Sequence, residues 1–258
     1  MPGTADTVVS ALRAALSSDP GRPLVTFYDG ATGERVELSV TTFDNWVTKV
    51  ANLFADDLML EPGDRIRVDL PTHWQTSVIT LGAWTAGLTV SLTTTADDVA
   101  AHVVGPGADI DTSVQAGHVI SCSLRPLGGP SLMPLPAGWL DFGAEVPAQP
   151  DVLTLAPTVD ASGTAADTDL GPRTHADLMR AARGTASRLA LSPTARLVTD
   201  ANPATASGLI AALAAPLVAD SSVVLLVNVD RDAAATISAQ ELVTASLWSD
   251  ELSPGWPD

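Results

Sequence analysis

Several residue types on which enzyme chemistry often depends are nearly absent from this chain of 258 residues. Cys122 is its one cysteine, which excludes a disulfide framework and a cysteine-based metal site. Lys49 is its one lysine among 13 basic residues, and Tyr28 is its one tyrosine. Any mechanism that needs a catalytic lysine must therefore use Lys49.

Positive charge and long apolar runs are also scarce. The chain has 30 acidic residues against 13 basic ones, a net charge of -17, and such a surface repels the phosphates of nucleic acids. No run of about 18 apolar residues is present, which argues against a membrane span. The first residues lack a basic stretch followed by an apolar core. These features predict a cytoplasmic protein with no nucleic-acid or membrane partner, whose acidity serves solubility.

Strands and helices alternate in the first half of the sequence, as in βαβ units with a parallel sheet. Residues 34–38 alternate like the antiparallel hairpin partner of a strand at 23–28. Thr41 with Asp44 is predicted to cap the helix that follows. The predicted helices are 8–16, 43–54, 72–86 and 96–104, and the further predicted strands are 65–70, 88–92 and 118–121.

A second series of strands and helices follows a region rich in proline and glycine at residues 125–150. Its predicted strands are 151–156, 196–199 and 222–227, and its predicted helices are 174–191 and 204–218. Thr174 and Asp177 can cap the first of these helices. The pattern predicts an α/β protein with two βαβ-type subdomains, residues 1–148 and 149–258, and mostly parallel sheets.

Three sequence blocks occur in an order that is typical of one superfamily. The first is LEPGDRIRVDLP at residues 60–71, followed by LGAWTAG at 81–87. The second is ASGT at 161–164, and the third is SGLIAALAAPL at 207–217. Across residues 20 to 230 the chain resembles the N-terminal half of the AMP-binding, acyl-CoA synthetase-like superfamily of adenylate-forming enzymes.

The resemblance implies a phosphate-binding loop for ATP, which in the family reads Ser-Gly-Thr-Thr-Gly-x-Pro-Lys-Gly. Small residues there let backbone N–H groups approach phosphate, and the lysine adds positive charge. Here the later part of the loop is changed, and Asp167 and Asp169 stand where phosphate would lie. Arg173 could supply the missing charge, although we favour an ordinary place for it beside the helix cap. The degenerate loop is predicted to comprise Ser162, Gly163, Thr164 and Arg173.

The family's later motifs are missing from the sequence. A Tyr-Gly-x-Thr-Glu segment holds adenine and magnesium in the family, and a lysine of a mobile C-terminal domain drives adenylation. Tyr28 lies in the first hairpin, and no lysine follows Lys49. We therefore predict a non-catalytic relative, a binding or regulatory module that needs no cofactor and would use ATP and magnesium only if the loop still functions. The alternatives are a ligase fragment completed by a partner chain and a binder of small acyl or nucleotide ligands.

Other catalytic arrangements are not favoured. The four histidines, His73, His102, His118 and His175, have no metal-ligand spacing, and Ser162 lacks the glycine of a hydrolase nucleophile elbow. The apolar strand at 222–227 and the helix at 209–217 would lose part of the cover that the family gives them. Two remedies are predicted: residues 240–248 fold back as a helix, or a second copy or partner protein covers the surface. The homodimer is favoured.

Overall fold

The structure, a computed structural model, describes residues 5–93, 98–106, 115–154, 157–253 and 255–256. Its helices are α1 Val8–Ser18, α2 Val40–Asn52, α3 Trp74–Thr85, α4 Phe142–Ala148, α5 His175–Arg188, α6 Ala206–Leu209, α7 Ala215–Val218 and α8 Arg231–Gln240. Two π-helical turns, Leu53–Asp57 and Ile210–Ala214, extend α2 and join α6 to α7, and two short 3-10 turns lie at Pro126–Gly128 and Ser249–Glu251. The strands are β1 Pro23–Asp29, β2 Glu34–Ser39, β3 Arg65–Asp69, β4 Thr89–Ser91, β5 Asp98–Val104, β6 Gln115–Ser121, β7 Trp139–Asp141, β8 Thr164–Thr168, β9 Gly171–Thr174, β10 Arg196–Thr199, β11 Ser222–Val227 and β12 Ala245–Ser246.

Two sheets organise the chain. The large sheet has the order β7-β6-β5-β3-β4-β8-β9 and is parallel except for the β8–β9 hairpin. The small sheet has the order β12-β10-β11-β1-β2 and is parallel except for the predicted β1–β2 hairpin. The α/β class with mostly parallel sheets is therefore confirmed. Both sheets contain strands from either side of residue 148, because β8 pairs with β4 and β1 pairs with β11.

The helix α3 is buried along its whole length. Trp74 and Trp84 are 1% and 0% exposed, so both indole rings pack in the core. Gly82 allows α3 to approach α2 closely, since a Cβ at this position would lie 2.5 Å from a methyl carbon of Val50. A buried apolar core results, to which both sheets contribute side chains.

Two predicted elements differ in the structure. The helix predicted at 96–104 is wrong: Asp98–Val104 is strand β5, paired in parallel with β3 and β6, while residues 96–97 lie outside the described residues. The valines of this segment suit a strand, and pairing on both sides outweighs helical periodicity. The strand predicted at 151–156 is not formed by the described residues 151–154, and residues 155–156 are not described.

The two predicted helix caps had different outcomes. Thr174 and Asp177 form the predicted capping box of α5. The predicted cap of Thr41 with Asp44 is wrong, because α2 begins two residues earlier, where the Ser39 side chain accepts from the Thr42 N–H. The Thr41 hydroxyl instead donates to the Pro20 carbonyl at 3.0 Å.

The C-terminal segment, residues 241–253 and 255–256, folds back over the chain, but not as the predicted helix at 240–248. After α8 the chain forms the short strand β12, which pairs in parallel with β10. One apolar cluster joins Ala234 of α8 to Val198, Val224 and Leu226 of the small sheet. Helix α8 therefore covers apolar side chains of the strand at 222–227, which were predicted to lose part of their cover. The strand β12 extends the small sheet.

Candidate functional site

The turn before β8 and the first residue of that strand include three of the residues predicted to contact phosphate. Ser162, Gly163 and Thr164 are exposed. The Asp160 carboxylate accepts hydrogen bonds from both the N–H and the hydroxyl of Ser162, at 2.8 and 2.6 Å. The N–H of Gly163 donates to the Asp160 carbonyl at 3.0 Å. The two donors of Ser162 and the N–H of Gly163 are therefore engaged with one aspartate.

The N-terminus of α5 has also used its first N–H groups. In the capping box, the Asp177 N–H donates to the Thr174 hydroxyl at 3.1 Å, and the Thr174 N–H donates to the Asp177 carboxylate at 3.0 Å. The N–H groups of His175 and Ala176 donate to the carbonyls of Gly163 and Ala161, in the turn before β8, at 2.9 and 2.8 Å. A helix N-terminus binds anions through free N–H groups, and these are bonded within the chain.

The β8–β9 hairpin contains the other residues of the predicted loop region, Asp167, Asp169 and Arg173. Asp167 lies in β8, 3.9 Å from Arg65, and Asp169 is exposed in the turn. The guanidinium of Arg173 lies over the indole ring of Trp256, 5.9 Å from its centroid. Arg173 thus contacts the C-terminal segment, whereas Ser162 and its neighbours lie in the turn before β8.

The single lysine serves a structural contact. The ammonium of Lys49 donates to the carbonyls of Pro147, at 3.2 Å, and Gln149, and it pairs with the Asp151 carboxylate at 2.9 Å. These contacts attach the segment after α4 to α2. The partners of the Lys49 ammonium are therefore residues 147–151, which precede the degenerate loop in the sequence.

A cavity of about 320 Å³ adjoins the loop and is lined by residues 157–160 and by His175. His175 is 3% exposed and meets Trp84 edge-on at 5.9 Å. Burial lowers the pKa of His175 to about 4, so its ring is neutral at neutral pH. Hydrogen bonds from Ser162 lower the pKa of Asp160, which keeps that carboxylate ionised. An anion and a neutral ring suit a neutral or cationic group better than a phosphate.

A larger cavity of about 560 Å³ lies between α5, the second π-helical turn and the C-terminal segment. π-Helical turns are rare in proteins overall, and those that occur often lie at functional sites. Both apolar and polar side chains line this cavity, as in pockets for small molecules. They include Thr185, Arg188, Leu189, Ser207, Ile210, Ala211, Leu247, Glu251, Leu252 and Trp256.

The C-terminal segment is fixed over this cavity by polar contacts. Ser249 donates to the Asp200 carboxylate through its N–H at 2.7 Å and its hydroxyl at 3.0 Å. Arg231 pairs with Asp250 at 2.9 Å and lies over the Trp248 ring, 4.0 Å from its centroid. These contacts position the apolar side chains that close the cavity.

Metal and membrane features were searched over the described ranges. Within them, no group of three His, Cys, Asp or Glu side chains could hold a metal ion. In the same ranges no helix is long and apolar enough to cross a bilayer.

Sequence reasoning missed Asp160, which accepts hydrogen bonds from Ser162 and Gly163. Its spacing from Ser162 is the signature of an Asx turn, in which an aspartate accepts from the backbone two residues on. The π-helical turn at Ile210–Ala214 was also missed, and its apolar sequence carries no signal that separates it from an α-helix.

The fold is that of the N-terminal half of solved adenylate-forming ligases, which confirms the predicted resemblance at the level of the fold. An acyl-CoA synthetase from Brucella canis superposes with a TM-score of 0.76 at 18% identity, over 95% of this chain and 48% of that one. The anthranilate CoA ligase AuaEII, in complex with anthranoyl-AMP, gives 0.72 at 15% identity, over 96% and 50%. MbtA from Mycobacterium smegmatis gives 0.73 at 19% identity, over 93% and 47%. The chain spans about half the length of these solved structures.

The family of this chain is shown by its sequence similarity to another protein. A TIGR03089 family protein of Mycobacterium tuberculosis is 33% identical over 219 residues, which cover 83% of this chain and 87% of that protein. The chain belongs to the TIGR03089 family. No protein-family model matches it.

Proposed function

We propose that this chain is a non-catalytic, ligand-binding relative of the adenylate-forming ligases that works in the cytoplasm. One observation carries the proposal: the Asp160 carboxylate occupies both donors of Ser162. A phosphate at this turn would have to replace that carboxylate or lie beside its negative charge. Phosphoryl-transfer enzymes work mainly by positioning and stabilising such charge, and this turn does the reverse.

The first experiment measures ATP–pyrophosphate exchange with a panel of carboxylic acids. We expect no exchange above a control without protein. Exchange that is lost in Ser162→Ala and kept in Ser187→Ala, an exposed serine of α5, would show a working phosphate loop and refute the proposal.

A second experiment measures thermal unfolding with millimolar MgATP. A ligand that binds only the folded state at a hundredfold excess over Kd adds about 2.7 kcal/mol of stability, which is a shift of several degrees. We expect no shift. In Asp160→Ala the donors of Ser162 become free, and any weak shift should increase there but not in Asp169→Ala, which changes the hairpin turn.

The binding role is assigned to the cavity beneath the C-terminal segment. Its volume of about 560 Å³ lies within the range of small-molecule pockets. Ala211 lines it and is 1% exposed, so Ala211→Met would fill part of its space. Compounds that raise the melting temperature of the native chain should lose their effect in this variant. Stabilising compounds that act equally on Ala211→Met would place their site elsewhere.

A second candidate function is a ligase half that a partner chain completes. The observation that favours it is the coverage of about half of each solved ligase. The partner would have to carry the Tyr-Gly-x-Thr-Glu segment and the adenylating lysine. The test mixes the chain with such a protein and measures exchange. Activity that needs both chains, and that Ser162→Ala abolishes, would favour this candidate over the first.

The homodimer also stays a proposal, as a further cover beside that which α8 already gives to strand β11. Size exclusion coupled to light scattering measures it directly. A monomer mass at micromolar concentration would exclude the homodimer.

A further inference from the structure

A separate cavity of about 340 Å³ lies at the carboxyl ends of β5 and β6. Gly105 and Pro106 follow β5 on one side of it, and Ser121 and Cys122 stand at the end of β6 on the other. In open α/β sheets, ligands bind in the crevice outside the carboxyl ends of the strands. Neither the loop before β8 nor the cavity under the C-terminal segment includes these residues.

The connection from β6 to β7 forms the outer wall of this cavity and exposes large apolar side chains. Leu132 is 77% exposed and Met133 is 74% exposed, and Trp139 lines the cavity beside them. Exposed apolar side chains at the mouth of a cavity gain stability when a ligand covers them. Thioether side chains adapt readily to the shape of a ligand.

The same connection has a strained backbone. Leu124 and Leu127 have φ values of 53° and 57°, in the left-handed region that disfavours residues with a side chain. Strain of this kind persists where surrounding contacts enforce it, and it clusters at functional sites. One such contact is the hydrogen bond from the Arg125 guanidinium to the Pro130 carbonyl at 2.9 Å.

Arg125 gives the cavity a positive edge. Among the described residues its guanidinium donates to a carbonyl and forms no ion pair with a carboxylate. Arginine binds planar anions through paired N–H groups and keeps its charge at every physiological pH.

We propose that this cavity binds a small aromatic anion. The ring would lie against the apolar wall of Met133 and Trp139, and the anionic group would lie at Arg125. A volume of about 340 Å³ is near the lower end for ligand pockets, which favours a ligand of one or two rings over a peptide segment.

The test uses benzenesulfonate as the anionic probe and benzyl alcohol as a neutral one of similar size. The four methionines of the chain give few methyl signals in a spectrum of protein labelled at the methionine methyl carbon. Met133→Leu assigns the relevant signal. Met59 is 75% exposed, so its methyl group is a matched control for non-specific contact. We expect benzenesulfonate to shift the Met133 signal saturably and to leave the Met59 signal in place.

Two charge variants test the anion. Arg125→Gln should weaken benzenesulfonate binding by about tenfold or more, because a hydrogen bond to a charged group is lost, and should leave benzyl alcohol binding unchanged. Arg188→Gln, at the other cavity, should change neither. Equal shifts of Met133 and Met59, or benzenesulfonate binding that is the same in native chain and Arg125→Gln, would overturn the proposal. Unchanged melting temperatures of both variants exclude unfolding as the cause.

Discussion

Asn52, at the end of α2, holds the segment that follows α4. The residue is 1% exposed, and its amide nitrogen donates to the carbonyls of Pro150 and Val152, both at 3.0 Å. Its amide oxygen accepts from the N–H and the hydroxyl of Thr154, at 3.2 and 3.3 Å. We expect Asn52→Asp, which barely changes shape, to be strongly destabilising.

The magnitude follows from these contacts. The substitution removes two donated hydrogen bonds, each worth about 1 kcal/mol net. It also turns a buried carboxylate oxygen toward two carbonyl oxygens, which adds about 1 kcal/mol or more. Together these losses total about 3 kcal/mol, and at about 2 °C per kcal/mol for a chain of this size they lower the melting temperature by about 6 °C.

The loss should depend on pH. Burial and the facing carbonyls raise the pKa of the introduced carboxyl in the folded chain above its ordinary value of about 4. The unfolded chain therefore releases the proton at lower pH, and stability falls as pH rises from about 4 toward the raised pKa. The deficit at pH 7 should thus exceed the deficit at pH 4.5.

Thermal unfolding at the two pH values measures both effects. Asn45→Asp is the matched control, because it makes the same chemical change on the same helix at a half-buried position. We expect it to cost less than about 1 kcal/mol, as surface substitutions do. Equal losses in the two variants, or a loss in Asn52→Asp that is the same at both pH values, would refute the reasoning.

Three further predictions concern stability. A Cβ at Gly208 would lie 2.0 Å from the Asn202 carbonyl oxygen, so Gly208→Ala should cost about 3 kcal/mol in urea unfolding, whereas Gly184→Ala, with open space, should gain up to about 1 kcal/mol. The buried Thr80 hydroxyl has no partner in the described residues, so Thr80→Val should be neutral or stabilising, and a clear loss would indicate a bound water. Because the pKa of His175 is lowered to about 4 from 6.5, stability should fall as pH drops between these values, and His175→Gln should flatten that dependence.

Local signals predicted much of the fold. The β1–β2 hairpin follows a turn at Asp29 and Gly30, and the α5 cap follows from Thr174 and Asp177 three residues apart. Such features depend on neighbours in sequence. The strand β5 was mistaken for a helix because its pairing with β3 and β6 is set by distant residues.

The candidate site was less accessible to sequence reasoning. The family resemblance located Ser162 and its neighbours but not the carboxylate that holds them. Arg173 was considered as a phosphate ligand, whereas its contact with Trp256 joins two segments far apart in sequence. The cavity under the C-terminal segment needs the fold-back of that segment, which was predicted only as a helix at 240–248 and not as the short strand β12 followed by a loop.

The pairing of β1 with β11 constrains how the chain can fold during synthesis. Residues 23–39 leave the ribosome long before the parallel partner of β1, Ser222–Val227, emerges. Until then one edge of the hairpin is unpaired, and Phe27, which is 1% exposed in the finished fold, lacks most of its cover. Contacts of such long sequence separation form slowly and leave apolar surface open to aggregation. The nascent chain should therefore depend on a chaperone until β11 is complete, and a fragment that ends before residue 222 should not form the small sheet.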